Sequence, residues 1–296
     1  RGRCNPRRGR GRTGDMTYSF LKILENPSLR VISLGAGVQS TVMALKNSRG
    51  ELGPKVSCGV FADTGWEPKA VYDHLSWLEK QVSFPIYRVQ SGNIRRDLET
   101  DSNTTGHKFA AIPFFLINKD GSNGMARRQC TSEYKLKPIR KKVRELAGLR
   151  PRQRTPKDFM VEMWIGISTD EVMRVKPNTD SWVTNRWPLI EEDMSRRDCL
   201  KWFEDNYPGK SLTKSACVGC PFRSNEEWRE IRSVDPQEFE DACHVDELLR
   251  NQEGRFKGQR FLHADRIPLK DVDFSTAEDK GQIDMFNMEC EGMCGV

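Results

Sequence analysis

The segment Arg30-Val31-Ile32-Ser33-Leu34-Gly35-Ala36-Gly37-Val38-Gln39-Ser40-Thr41-Val42-Met43-Ala44-Leu45 constrains the fold more than any other stretch of the chain. Val31 to Leu34 follow the turn-forming Asn26-Pro27-Ser28 and read as a buried strand. Small residues then make a turn, and Ser40-Thr41 open a helical pattern through Val42, Met43 and Leu45. A strand, a glycine turn and a helix N-terminus in succession form an anion cradle. Glycines let the backbone approach closely, while free N–H groups and the helix dipole favour negative charge.

The cradle is not a Walker A loop, because G-x-x-x-x-G-K-S/T is absent, and Ser40 ends any match to G-x-G-x-x-G. On Ser33, Gly35, Gly37 and Ser40 it resembles the PP-loop of the ATP-pyrophosphatase and phosphoadenosine-phosphosulfate (PAPS) reductase superfamily. Gln39 stands where that loop usually has an acidic residue. The resemblance implies a Rossmann-like α/β fold of the adenine nucleotide alpha hydrolase type. It also makes Ser33, Gly35, Ala36, Gly37, Gln39, Ser40 and Thr41 candidate nucleotide-binding residues, with ATP (or PAPS) and Mg²⁺ as ligands.

The next segments repeat the strand–turn–helix order expected of a parallel sheet with ligands at its carboxyl edge. Val56 to Ala62 form a second strand, Asp63-Thr64-Gly65 end it, and Pro68 sits in the first turn of a helix through Leu75, Leu78 and Val82. Thr64, Gly65 and Pro68 match the family at this place, and Thr64 joins the nucleotide-binding set. Asp63 is a candidate for ribose or Mg²⁺, or else a helix cap. Ile86 to Val89 give a third strand, whereas Phe109 to Ile117 is apolar without a clear period. Lys119 to Gly124 reads as a flexible turn, of the kind that forms lids.

A second block, Arg127-Arg128-Gln129-Cys130-Thr131-Ser132-Glu133-Tyr134-Lys135-Leu136-Lys137-Pro138, precedes a helix running to Ala147. Arg127, Arg128, Lys135, Lys137, Arg140, Lys141, Lys142 and Arg144 surround Cys130 with positive charge. Such a setting lowers a thiol pKa and attracts phosphate, although a solvated basic face has the same pattern. The spacing Cys-Thr-x-x-Tyr-Lys-x-x-Pro resembles a family block. After a Pro/Arg-rich linker at 150–157, Phe159 to Ile167 form a further strand. By the resemblance, Gly166, Asp170, Glu171 and Arg174 fit its end, with Gly166 and Arg174 placed at the nucleotide. Trp187-Pro188-Leu189-Ile190 and an amphipathic helix to Phe203 follow.

Nine cysteines carry the remaining chemistry. Cys217-Val218-Gly219-Cys220 is a C-x-x-C, and Cys290 and Cys294 make a C-x₃-C at the end of the chain. A disulfide scaffold does not suit a chain of this length without an export signal. Two thiolates at C-x-x-C spacing share one soft metal, and four suit Zn²⁺ or a 4Fe–4S iron–sulfur cluster. Cys130 and Cys290 are the preferred partners of Cys217 and Cys220, with Cys294 the alternative. Cys4, Cys58, Cys199 and Cys243 are expected to be inert. The same tail permits another reading. PAPS reductases use a reactive cysteine on a C-terminal Glu-Cys-Gly segment, which Glu289-Cys290 partly resembles.

The net charge of +6 says little by itself, since residues 1–15 hold six Arg and one Asp. That tail is a disordered basic arm or translated upstream sequence ahead of Met16. The expected organisation is a PP-loop α/β domain over 16–190 and a helical, Cys-rich C-terminal region over 191–296. With no apolar run long enough for a membrane span, a cytoplasmic protein is expected. The leading expectation is ATP-dependent thiolation of a nucleic acid, with Cys130 and Cys290 as catalytic cysteines and a sulfur donor such as a cysteine desulfurase as partner. The alternatives are a PAPS or adenylylsulfate reductase using Cys290, and a non-catalytic nucleotide- or nucleic-acid-binding module with structural zinc.

Overall fold

A computed structural model describes residues 23–100, 111–251, 258–276 and 279. The basic tail at 1–15 and Cys4, Cys290 and Cys294 lie outside them.

Five parallel strands form the central sheet: β1 (Leu29–Leu34), β2 (Cys58–Asp63), β3 (Ile86–Gln90), β6 (Val161–Ile165) and β7 (Val183–Arg186). Their order is β3-β2-β1-β6-β7. The chain winds outward from β1 through β2 to β3, returns to the other side of β1 as β6, and continues to β7. The carboxyl ends of β1 and β6 therefore flank a topological switch point, where open α/β sheets bind ligands. Cys58 to Ala62 and all of β6 are buried, as both-sided helix cover requires.

On one face lie α1 (Val38–Ser48), α2 (Lys69–Gln81), α5 (Pro188–Glu191) and α6 (Arg196–Asn206). Their side chains Val42, Leu45, Leu75, Leu189 and Phe203 bury Ile32, Phe61 and Trp164 of the sheet. Ile139 and Val143 of α4 (Lys137–Leu146) cover the other face, against Val31, Val60, Val161 and Met163. Inside this apolar sandwich, Glu162 is fully buried. It accepts hydrogen bonds from Trp164 Nε1 (2.8 Å) and Arg30 Nε (3.3 Å), with Arg186 at 3.5 Å. Paired in this way, the charge is tolerated where an isolated one would not be.

A second sheet, β5-β4-β8, is antiparallel: β4 (Phe115–Asn118), β5 (Asn123–Met125) and β8 (Gly258–Phe261). Lys119 to Ser122, within the turn expected at Lys119 to Gly124, form the tight turn of the β4–β5 hairpin. Asp120 Oδ1 accepts from Ser122 N (2.9 Å), and Gly121 takes φ 79°. This sheet, α3 (Ile94–Glu99), α7 (Asn225–Val234) and α8 (Pro236–Asn251) share a core containing Leu98, Phe114, Tyr134, Trp228, Phe239, Val245 and Phe274. That core draws on residues from both sides of position 190, and α6 packs back on α1. Helices cover 196–206, 225–234 and 236–251, with Cys199 on α6 and Cys243 on α8, whereas Cys217 and Cys220 stand on the non-helical stretch at 207–224. Among the described residues, no helix is long and apolar enough to cross a membrane.

Candidate functional site

An open cleft of about 1190 Å³, its mouth included, lies at the carboxyl ends of β1, β2 and β6. Ser33, Gly35, Gly37, Gln39, Ser40, Gly166 and Arg174 line it, so the structure brings together most of the residues that the sequence singled out. The cradle itself is made of backbone. Ala36 adopts φ 58°, a left-handed conformation uncommon outside glycine, and its carbonyl accepts from Thr213 Oγ1 at 3.2 Å. Gly37 precedes α1, whose N-terminus has neither a side-chain cap nor an acidic residue in its first turn. Ser40 Oγ turns back to donate to Gly37 O (3.3 Å). An uncapped helix start over a glycine turn presents N–H groups and a positive dipole end to an anion.

Glycine at 166 has a steric reason. A Cβ there would stand 2.8 Å from Ser40 N and 3.0 Å from Ser40 Cα, so β6 reaches the first turn of α1 only as glycine. Gln39 spans the same junction. Its Nε2 donates to Ser168 Oγ (3.3 Å) and Glu171 Oε2 (3.2 Å), while its Oε1 accepts from Arg196 Nη1 (3.3 Å). An amide serves a carboxylate and a guanidinium at once, whereas a carboxylate at 39 would face Glu171 as a like charge. Burial raises the Glu171 pKa, and its ion pair with Arg174 opposes that shift.

Three candidates stand elsewhere. The Thr41 hydroxyl is fully buried beneath the cradle, 2.9 Å from His74 Nε2. Asp63 Oδ1 accepts from Gly65 N (2.7 Å) and Tyr72 Oη (2.8 Å), so it locks the β2–α2 turn but does not cap α2, whose N-terminus has no side-chain cap. Thr64 is buried, donates to Glu67 Oε1 (2.9 Å), and lies 3.2 Å from Cys217 Sγ. None of the three lines the cleft. The reason is shared: each side chain is held by a partner from α2, its entry turn or the C-x-x-C loop.

That contact fixes the C-x-x-C loop. Val218 N donates to Trp66 O (2.8 Å), and Gly219 lies so flat on Trp66 that a Cβ would come within 2.1 Å of the ring. The guanidinium of Arg223 gathers the carbonyls of Ala216, Cys217 and Val218 at 2.9–3.2 Å. Cys217 and Cys220 are both buried, and Cys220 also lines the cleft. Cys217 Sγ is 3.7 Å from Glu67 Oε1. The other oxygen of that buried carboxylate has no hydrogen-bond partner among the described residues. The buried Cys217 thiol beside a carboxylate with one unsatisfied oxygen is a pair of donors of the kind a thiophilic cation takes. Cys130, half-buried ahead of the π-helical turn Thr131–Leu136, packs against the apolar cluster that also contains Cys217. No group of three His, Cys, Asp or Glu side chains close enough for a metal occurs among the described residues. The preferred fourth ligand, Cys290, lies outside them. Burial drives the thiols of Cys58, Cys199 and Cys243 up to about 11, about 12 and about 11, which suits inert core positions.

Sequence reasoning missed the wall facing the cradle. Ser215 sits over Gly35 and Gly37, with Lys214, Phe222 and Glu227 beside it, and Lys135 and Arg196 complete the rim. Four cations, Lys135, Arg174, Arg196 and Lys214, thus line the cleft against two carboxylates, Glu171 and Glu227. The polar run Ser211-Leu212-Thr213-Lys214-Ser215 just before Cys217 was the available signal. A scan against protein-family models finds no match to this chain, and a search of curated proteins finds none either.

Proposed function

We propose that the chain is an adenine-nucleotide-binding enzyme of the PP-loop type that couples nucleotide cleavage to sulfur chemistry, with a nucleic acid as acceptor. The observation that carries this reading is one cleft that joins an uncapped helix N-terminus, four cations and a C-x-x-C cysteine. In this reading the N–H groups at the start of α1 hold the phosphates, and Arg174, Arg196, Lys135 and Lys214 stabilise charge on the leaving pyrophosphate. An acceptor oxygen attacks the α-phosphorus and pyrophosphate departs. Sulfur then displaces AMP from the activated carbon. The apolar wall of Phe61, Ile139 and Ile167 keeps water from the activated species.

Cys217 and Cys220, with Cys130 and Cys290, are the side chains that would hold a metal centre beside this cleft. Such a centre would supply a thiophilic ion able to bind sulfur. Glu67 and Thr64 position Cys217 from below, and Arg223 fixes the loop.

The deciding experiment incubates anaerobically purified protein with ATP, RNA or DNA and a sulfide source. Formation of AMP and pyrophosphate dependent on the acceptor is the expected result. Sulfite released from PAPS with a thiol reductant, and no ATP cleavage, would replace this reading with a reductase. Metal content is measured in parallel: Cys217→Ser loses iron or zinc, whereas Cys199→Ser, a substitution in the core of the first sheet, keeps it.

A further inference from the structure

We infer that the outer face of α4 and the loop following it form a docking surface for the phosphate backbone of a duplex or folded nucleic acid. This rests on the proposed nucleic-acid acceptor and names where that acceptor is held.

Charge in this protein is segregated. Residues 135–157 contain ten Lys or Arg and one Glu, a net of +9 in a chain whose total is +6. Residues 1–15 carry a further +5, so the remaining residues are net −8 and positive potential is concentrated on this segment and that tail. Because Ile139 and Val143 of α4 are spent on the sheet, Lys137, Arg140 and Lys141 are left exposed. Arg150, Arg152, Arg154 and Lys157 continue the exposed series along the loop. Lys137 pairs with Glu133, and Arg140 with Asp180. Lys141, Arg150, Arg152, Arg154 and Lys157 form no ion pair with a described carboxylate, in contrast to Lys142, which pairs with Glu145.

The surface begins at the candidate site. Lys135, Leu136 and Ile139 line the cleft, and α4 carries the basic face about 15 Å away from its rim. A duplex presents one charge per about 1.7 Å of axis, so a track of that length meets several phosphates. The aromatic rings here are already covered. The Lys142 ammonium lies 4.6 Å from the centroid of Tyr87, and the Arg144 guanidinium 5.9 Å from that of Trp182. With those rings occupied, unpaired bases find no stacking platform among them, and the surface suits backbone contacts instead.

The test measures anisotropy of a labelled DNA duplex and a labelled folded RNA with the full chain over a range of salt concentrations, alongside ATP affinity. The variant Lys141→Glu/Arg152→Glu/Arg154→Glu changes only exposed residues. A control, Arg7→Glu/Arg8→Glu/Arg10→Glu, removes the charge of the N-terminal tail. The α4-face variant is expected to bind at least about tenfold more weakly at about 0.1 M salt, with the logarithmic salt slope reduced by about 3. Its ATP affinity and thermal melt should match those of the unaltered chain. The preferred probe, DNA or RNA, identifies the acceptor. If the tail variant alone loses binding, or if neither probe binds while ATP does, the docking surface is wrong and the nucleotide reading stands. If nucleic acid binds through α4 but no nucleotide binds, the docking surface stands and the enzyme reading fails.

Discussion

In the glycine cradle, Ser33 to Ser40 are consecutive, and the atoms that face the cleft are largely backbone at a strand end and a helix start. At the thiol corner, Cys217 meets Thr64 across 153 residues and Glu67 across 150, and side chains from distant segments take part in the holding. The corner reaches the cleft through Cys220. The cradle is rigid because β1 and α1 are packed between sheet and helices. The corner is rigid because Trp66, Arg223 and Gly219 interlock. A local turn tolerates change in its distant neighbours, whereas an interlocked corner transmits a change at any of its members.

The largest effect should come from breaking the cradle while leaving the corner intact. Gly37 has φ −93°, which any residue adopts, and its Cβ position meets Ser215 only at 3.4 Å. Gly37→Asp should therefore fold, yet place a carboxylate at the proposed phosphate position. Nucleotide affinity should drop at least about a hundredfold, or about 2.7 kcal/mol. Calorimetric titration with ATP checks this, and unchanged affinity would remove the anion site from α1.

The reverse experiment targets the corner. Gly219→Ala drives a methyl into the Trp66 ring, which cannot retreat freely because its Nε1 is bonded to Asp241 at 2.7 Å. Overpacking of this kind costs about 1–3 kcal/mol. Urea unfolding should show that loss together with reduced metal content, while ATP affinity stays within a few-fold. Equal damage to ATP binding would mean that corner and cradle act as one unit.

A smaller effect separates the two by pH. Burial, with a minor contribution from Lys210, holds the His74 imidazole down at about 4, against 6.5 for an unburied histidine. Between those values the unfolded chain binds more protons than the folded one. Stability thus rises with pH in that window and is lost as pH falls from about 6.5 towards about 4, by about 3 kcal/mol in full. His74 supports Thr41 beneath the cradle and does not touch the corner. Chemical unfolding of His74→Gln near neutrality and at about pH 5 should show a shallower acid loss than the unaltered chain, by about 2 kcal/mol. Identical slopes would place the acid sensitivity elsewhere.

The strands β1, β2, β3 and β6, the helices α1, α2, α4 and α6, and the cradle were legible in the amino-acid sequence. Continuous apolar runs, glycine turns and capping residues are local signals, and the parallel sheet places their ends together. The capping boxes Ser195–Asp198 and Ser224–Glu227 are signals of the same local kind. Strand β7 escaped notice because Thr184, Asn185 and Arg186 are polar, and their burial is made possible by partners such as Glu191 and the Lys176 carbonyl. The β5-β4-β8 sheet escaped because β4 and β8 are more than 130 residues apart and each is four residues long.

For the site, the sequence by itself determined the residue types and the order of the cradle, since a strand–glycine–helix junction is built from neighbours. Only the tertiary structure decided that Thr41, Asp63 and Thr64 turn inward, that Gln39 bridges Glu171 and Arg196, and that Ser215 closes over the glycines. A side chain's orientation depends on which distant partner satisfies its polar atoms, and that partner is chosen by packing, not by spacing along the chain.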